Sequence, residues 1–223
     1  VAEGLLDQAP PLGIIPAGTA NVFARALRYP STAARVADAL LHGPMRTIPL
    51  GDVNGRPFLF VVGVGFDAEA VRYFEKDGAR ILGRAGFIVP VLRALAFHRD
   101  RLLRVVIDGA SVEARWVIIT RTKRYAAEMM LAPDAELDGT RFYALCMQGT
   151  GPLARFVQLS ALTIGCLRFC PGVTLRPANH IRICGSASVA VQIDGEVLGR
   201  LPLDIRIHSK PLRIILPESR FGE

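Results

Sequence analysis

LGIIPAGTANVFARAL, residues 12–27, leaves a short apolar run through Pro-Ala-Gly-Thr-Ala-Asn and enters a helical pattern at once. Pro16 and Gly18 suit a turn, and Thr19 or Asn21 suits the helix start. Their side-chain oxygens accept amide protons that a first helical turn leaves unpaired. The same unpaired amides also suit a phosphate. The stretch alone supports both readings, a capped strand-to-helix turn and an anion site.

Outward from it, residues 1–45 read as α/β: a helix, a strand at 12–15, a helix from about residue 20 and another over Ser31 to His42. From Thr47 the character changes to short apolar and β-branched runs punctuated by turn residues. Val53-Asn54-Gly55-Arg56 and Ile107-Asp108-Gly109-Ala110 have the composition of two-residue hairpins. Helical interruptions are expected at about Gly83 to Phe97 and Leu153 to Cys166. Strands are expected at Phe142–Met147, Val173–Arg176, Ile181–Cys184, Val189–Ile193, Leu203–Ile207 and Leu212–Leu216. The pattern predicts the tail of an α/β domain followed by a larger antiparallel β domain. Residue 1 is Val, and VAEGLL is already helical in character with no start signal, so the chain is expected to continue from an upstream segment.

Composition narrows the classes of function. Of the 223 residues, 51% are hydrophobic and 21% charged, which supports a large core and argues against disorder. No segment reaches the ~18 uninterrupted apolar residues of a membrane span, so a soluble protein is expected. The charge is +7, from 27 Lys and Arg against 20 Asp and Glu. These basic residues are scattered and lack aromatic interleaving, which disfavours nucleic acid and leaves anionic membrane or a polyanionic substrate. Arg80, Arg84, Arg99, Arg101 and Arg104, around the 83–97 helix, are the candidates for membrane contact. The four cysteines read as buried thiols of a reducing cytosol, not as a disulfide framework.

Three stretches carry acidic groups that chemistry can use. LAPDAELDG places Asp134, Glu136 and Asp138 at spacing two in a loop, either a solvated turn or a site for a hard cation. VQIDGEVLG places Asp194 and Glu196 about a hairpin turn, where an Asp can also act as a general base. Asp108-Gly109 is an internal control, because the chain uses Ile-Asp-Gly there for a plain turn. VVGVGFDAEA sets Asp67 just after two glycines at a strand end.

In this order the stretches resemble the diacylglycerol kinase catalytic-domain family, in its bacterial lipid kinase branch related to sphingosine kinases. The resemblance rests on Pro-x-Gly-Thr-x-Asn at 16–21, Gly65-Phe66-Asp67-Ala68, the element Pro133, Ala135 and Asp138, and Asp194-Gly195-Glu196, in register over essentially the whole chain. It implies a two-domain NAD kinase-like fold, α/β plus a β-sandwich, with the start of the α/β domain missing. The expected parts are residues 1–46 (end of the nucleotide-binding domain), 47–208 (β-rich domain) and 209–223 (return segment). The implied activity is transfer of the γ-phosphoryl group of ATP, with Mg²⁺, to a diacylglycerol-like lipid hydroxyl. Gly18, Thr19 and Asn21 would border the nucleotide phosphates, and Asp194 would take the hydroxyl proton with support from Glu196. Asp138 and Asp134 would be the residues of a structural metal site.

The family's Gly-Gly-Asp-Gly-Thr segment would precede Val1, so residues 1–223 alone are expected to be inactive. Val22 stands where many relatives carry Asp, a single Asp138-Gly139 replaces a paired acidic motif, and Ala126-Ala127-Glu128 replaces a glycine-rich run. The expected partners are the lipid substrate and an anionic membrane surface reached from the cytoplasm; a homodimer is compatible with the reading. The rivals are a non-catalytic lipid- or nucleotide-binding module of the same fold and an NAD kinase-like enzyme with a soluble substrate.

Overall fold

A computed structural model of the chain describes residues 4, 10–18, 21–76, 86–125 and 129–217. In chain order these form α1 (Val22–Ala26), α2 (Ala33–His42), β1 (Met45–Ile48), β2 (Gly51–Val53), β3 (Arg56–Phe58), β4 (Val61–Val64) and α3 (Phe66–Lys76). Next come α4 (Ile88–Phe97), β5 (Leu103–Ile107), β6 (Ala110–Ala114), β7 (Trp116–Thr120), β8 (Arg124–Tyr125), β9 (Met129–Met130) and β10 (Phe142–Met147). The remainder is α5 (Gly151–Thr163), β11 (Val173–Ala178), β12 (Ile181–Cys184), β13 (Val191–Ile193), β14 (Glu196–Val197), β15 (Leu203–Ile207) and β16 (Leu212–Ile215).

Two six-stranded antiparallel sheets carry the β-rich part, in the orders β11-β10-β7-β4-β13-β14 and β3-β2-β15-β12-β5-β6. Their sequences differ because their surroundings differ. β5 and β12 alternate, with Leu103, Val105, Ile107, Ile181 and Ile183 buried while Arg104 and Arg182 face water. β7 (WVIIT) is buried at every position, as expected of a strand covered on both faces. Val62, Val64, Val117, Ile119 and Ala144 meet Leu103, Val105, Ile183 and Ile205 between the sheets. On the other face of the first sheet, Val61, Ile118 and Leu145 pack on Phe66 and Ala70 of α3, Ala94 of α4 and Leu162 of α5.

A third cluster joins the first part of the chain to the last. β16 pairs antiparallel with β1, from Met45 with Ile215 to Ile48 with Leu212, and Ile214 bridges Leu12 in parallel. Ala24, Leu27, Ala39, Ile48 and Leu137 pack with Leu212, Ile214 and Leu216 around that pairing.

Both expected hairpins form, with left-handed φ at Asn54 and Gly55 and again at Asp108 and Gly109. Phe142–Met147, Ile181–Cys184 and Leu203–Ile207 are strands as expected, and α5 starts two residues before Leu153. Other expectations are corrected. The strand at 12–15 reduces to a single bridge at Leu12, because β16 has only that position beside it. Helix α3 was not foreseen, since glycines 63 and 65 made its start resemble a loop; Asp67 and Glu69 in its first turn favour the helix electrostatically. Of the helix expected over 83–97, Ile88–Phe97 is observed and residues 83–85 lie outside the described residues. Of the four cysteines only Cys146 is buried; Cys166 and Cys184 are exposed and Cys170 is partly exposed.

Candidate active site

The Asp194 turn is built by the end of β13. Asp194 and Gly195 have φ of 50° and 89°, the left-handed pair of a tight hairpin leading into β14. The Asp194 carboxylate accepts the amide of Leu59 at 2.6 Å and those of Phe60 and Val61 at 3.0 Å each. Burial pushes its pKa above the usual carboxylate range, opposed by these three amides and by the Arg121 guanidinium. Asp108 makes the same kind of latch on the other sheet, accepting the amides of Asn179 at 3.1 Å and His180 at 2.8 Å from an exposed position. Glu196 is exposed, opposite Ile193 in the ladder.

What separates the two turns is what lies behind them. Gln192, wholly buried in β13, accepts the Gly195 amide at 2.8 Å and donates to Asp67 Oδ2 at 2.8 Å. Tyr125 donates its hydroxyl to Asp67 Oδ1. Burial raises the pKa of Asp67, partly offset by both hydrogen bonds. The network therefore runs from β8 through α3 and β13 to the turn that carries Asp194. It fits only because residue 63 is glycine: a Cβ there would lie 1.9 Å from Asp67 Oδ2 and 2.7 Å from Gln192 Nε2. Gly63→Ala is expected to cost about 1–3 kcal/mol, the usual range for overpacking. An unchanged urea midpoint for that variant would show the network to be slack.

Arg121 joins the Asp194 loop to the acidic loop. Its side chain is fully buried in the turn after β7. It donates to the carbonyls of Pro49 at 2.6 Å, Leu137 at 2.9 Å and Gly139 at 3.1 Å, with a longer contact to Leu59 at 3.4 Å. Burial lowers its pKa to about 10, with Asp194 and Asp138 acting in the opposite direction, so it remains a cation at neutral pH. Phe23 of α1 stacks on Phe60, the residue whose amide holds Asp194, with ring centroids 6.1 Å apart. Leu137 packs among Ala24 and Leu27. The structure thus brings the acidic loop and the Asp194 turn around one buried guanidinium, with helix α1 packed against both through Phe23, Ala24 and Leu27.

Within the first of these, Asn21 sits in the left-handed region at φ 48° and closes the loop with its side chain. Its Oδ1 accepts the Gly18 amide at 2.8 Å, and its Nδ2 donates to the Pro16 carbonyl at 3.0 Å. Asn21 organises the loop and makes no side-chain cap of α1. Thr19 lies outside the described residues. In the acidic loop Ala135 and Leu137 are buried while Asp134, Glu136 and Asp138 point to water. Among the described residues no three His, Cys, Asp or Glu side chains gather to hold a metal. A structural cation held by protein groups alone does not fit this loop. Magnesium arriving with a nucleotide asks less, since phosphates and water supply most of its ligands.

A family model described as the YegS C-terminal NAD kinase beta sandwich-like domain matches residues 60–216, and the diacylglycerol kinase catalytic domain matches residues 1–53. The chain belongs to the diacylglycerol kinase family. It is 26% identical over 226 residues to the diacylglycerol kinase of Bacillus subtilis, covering 99% of this chain and 74% of that protein. It is also 26% identical over 228 residues to the diacylglycerol kinase of Staphylococcus epidermidis, covering 100% of this chain and 72% of the relative. A solved Bacillus anthracis protein classed with the diacylglycerol kinases superposes with a TM-score of 0.77 at 20% identity, over 98% of this chain and 72% of that one. That likeness establishes the two-part fold, α/β plus an NAD kinase-like β-sandwich.

Several residues of the site were not among those singled out from sequence. Arg121 stands in TRTKRY and looks like one more surface cation, and no local signal marks it as buried. Gln192 had a signal, a lone amide inside the apolar run Val189–Ile193.

Proposed function

We propose that the chain belongs to an ATP-dependent kinase that phosphorylates the hydroxyl of a diacylglycerol-like lipid. The observation that supports this most is the meeting at Arg121 of the acidic loop and the Asp194 turn, two segments that carry the motifs resembling the family's. In this reading Asp194 accepts the lipid hydroxyl proton as the oxygen attacks the γ-phosphorus. Its raised pKa brings it closer to the range in which a general base works at neutral pH. Leu59, Phe60 and Val61 fix the carboxylate in position, Gln192 fixes the turn, and Glu196 adds negative charge at the rim. The loop from Gly18 to Asn21 borders the nucleotide. Mg²⁺ bound with ATP supplies charge neutralisation on the phosphate oxygens. The test is phosphate transfer from labelled ATP to a panel of lipids by the full gene product. Transfer to none of them sinks the reading.

One observation favours the rival, a non-catalytic module of the same fold. The Asp194 carboxylate is engaged by amides in the way Asp108 is, and the Gly18 amide is already bonded to Asn21. The paired Asp194 and Asp108 variants treated below separate the two readings.

The substrate class implies a bilayer, and a surface on the outer helices suits one. α4 exposes Ile88, Val89 and Leu92, and the neighbouring α5 exposes Leu153, Phe156 and Val157. Among the described residues no helix is long and apolar enough to cross a membrane. Such a face lies in the interfacial plane, and the cations at Arg99 and Arg101 add attraction to anionic headgroups. Arg104 is corrected: it sits on the wet face of the other sheet, bonded to Ser111. Arg80 and Arg84 lie outside the described residues. Cosedimentation with phosphatidylglycerol vesicles is expected at low salt. It should fall steeply as the screening length shrinks from about 10 Å at 0.1 M salt to about 3 Å at 1 M. Leu92→Glu with Phe156→Glu should abolish it. Binding by that variant equal to the parent's would remove this face from the account.

A further inference from the structure

A second polar site lies at the opposite end of β13 from Asp194. Arg72 and Tyr73 of α3, His98, Arg99 and Arg101 after α4, and Ser188 before β13 line a cleft of about 190 Å³. The His98 side chain is only 6% exposed, yet neither ring nitrogen has a hydrogen-bond partner. The nearest carboxylate, Asp100, stands 3.9 Å from Nε2, beyond hydrogen-bond reach. It is occupied by the Arg155 guanidinium at 2.7 Å and the Gly151 amide at 2.6 Å. Arg72 Nε is likewise buried and unpaired. Buried polar atoms without partners are rare in folded proteins because each forfeits its hydration. Here two such groups line one cleft.

The charge in the cleft is net positive. Among the described residues Glu69 is the one acid that lines it, and it is paired with Arg72. Neither Arg99 nor Arg101 has an acidic partner among the described residues. Three guanidinium groups, a serine and an imidazole line this small open cleft, a donor set suited to a tetrahedral oxyanion, which accepts several charge-assisted hydrogen bonds at once.

We infer that this cleft binds a phosphate group, through Arg72, Arg99 and Arg101 with His98 and Ser188 completing the shell. The chemistry has two sources, a free phosphate and the headgroup of an anionic phospholipid. Phe97, exposed at the end of α4, also lines the cleft, so its lip is continuous with the apolar face of that helix. The phosphate chemistry stands without the membrane reading; only the choice of source draws on it.

The test is calorimetric titration of the folded chain with inorganic phosphate and, separately, with monomeric dihexanoyl phosphatidylglycerol below its micellar concentration. Saturable binding is expected for at least one probe, with movement of the His98 ring ¹⁵N resonances. Arg99→Gln with Arg101→Gln should weaken it tenfold or more, and Arg104→Gln, on the far sheet, should leave it unchanged. Comparable binding of both probes identifies a phosphate site indifferent to the lipid. A tenfold preference for the short-chain lipid identifies a headgroup site. No saturable binding of either probe at millimolar concentration overturns the inference. So does full binding by the double variant, or saturation with the His98 resonances unmoved. None of these readouts involves phosphoryl transfer, so loss of the kinase reading leaves the experiment intact.

Discussion

Arg121→Met is expected to destabilise the fold by about 3–5 kcal/mol, the cost of removing one side of a buried charged arrangement. Methionine fills much of the space but donates nothing. The carbonyls of Pro49, Leu137 and Gly139 would lose their shared donor, and Asp194 would lose its nearest buried cation. Each stranded acceptor carries a desolvation penalty of about 1–3 kcal/mol, reduced wherever water enters. Arg121→Lys should recover part of the loss, since an ammonium keeps the charge but cannot span carbonyls on both sides of the planar fork. Urea unfolding with an unchanged slope and a much lower midpoint is the expected record. A loss below about 1 kcal/mol would mean that the three carbonyls are satisfied without the guanidinium.

Asp194→Asn is expected to lower turnover of the full gene product by about 10²–10⁴, the usual worth of a general base. From sequence, asparagine should keep the turn and leave the melting temperature almost unmoved. The structure changes the second half of that expectation. Asparagine Oδ1 can still serve Phe60 and Val61, but its NH₂ then faces the Leu59 amide, donor against donor. A stability loss of about 1–3 kcal/mol should accompany the loss of rate. Assays therefore belong well below the variant's melting point. Asp108→Asn is the control, because Oδ1 alone reaches both Asn179 at 3.1 Å and His180 at 2.8 Å, in an exposed turn. It should retain activity. Equal behaviour of the two variants would reduce Asp194 to a latch and favour the binding module.

The contrast between those two aspartates also marks how far the sequence was legible. Hairpins at Asn54-Gly55, Asp108-Gly109 and Asp194-Gly195 could be read because turn chemistry is local. The strands at Phe142–Met147, Ile181–Cys184 and Leu203–Ile207 could be read as short apolar and β-branched runs, whereas β7, buried at every position, was not singled out. What a turn aspartate holds is not local. The amides taken by Asp194 lie more than 130 residues earlier in the chain, and nothing near Leu59 announces the contact. Arg121 was opaque for a related reason. Its acceptors are backbone carbonyls, which every residue has and no motif reveals. Cys166 and Cys184 were read as buried from the residue's general habit, but the edges of strand and helix where they sit face water.

The pairing of β1 with β16 has a consequence for how the chain matures. Met45 waits for Ile215, a partner 170 residues later. At ~5–20 residues per second, synthesis takes roughly 10–30 s to deliver that partner. During that interval Ile48, Leu27 and Ala39 lack Leu212, Ile214 and Leu216, the other half of their core. Two sandwich strands also wait, β2 for β15 and β4 for β13, but both partners precede β16 in the chain, so the β-rich part can close before the earlier-made α/β part does. The N-terminal segment then docks last, on a finished surface. A released chain truncated after Ile207, before Leu212, should show a protease-resistant sandwich carrying a cleavable first segment, and extension past Leu216 should protect both.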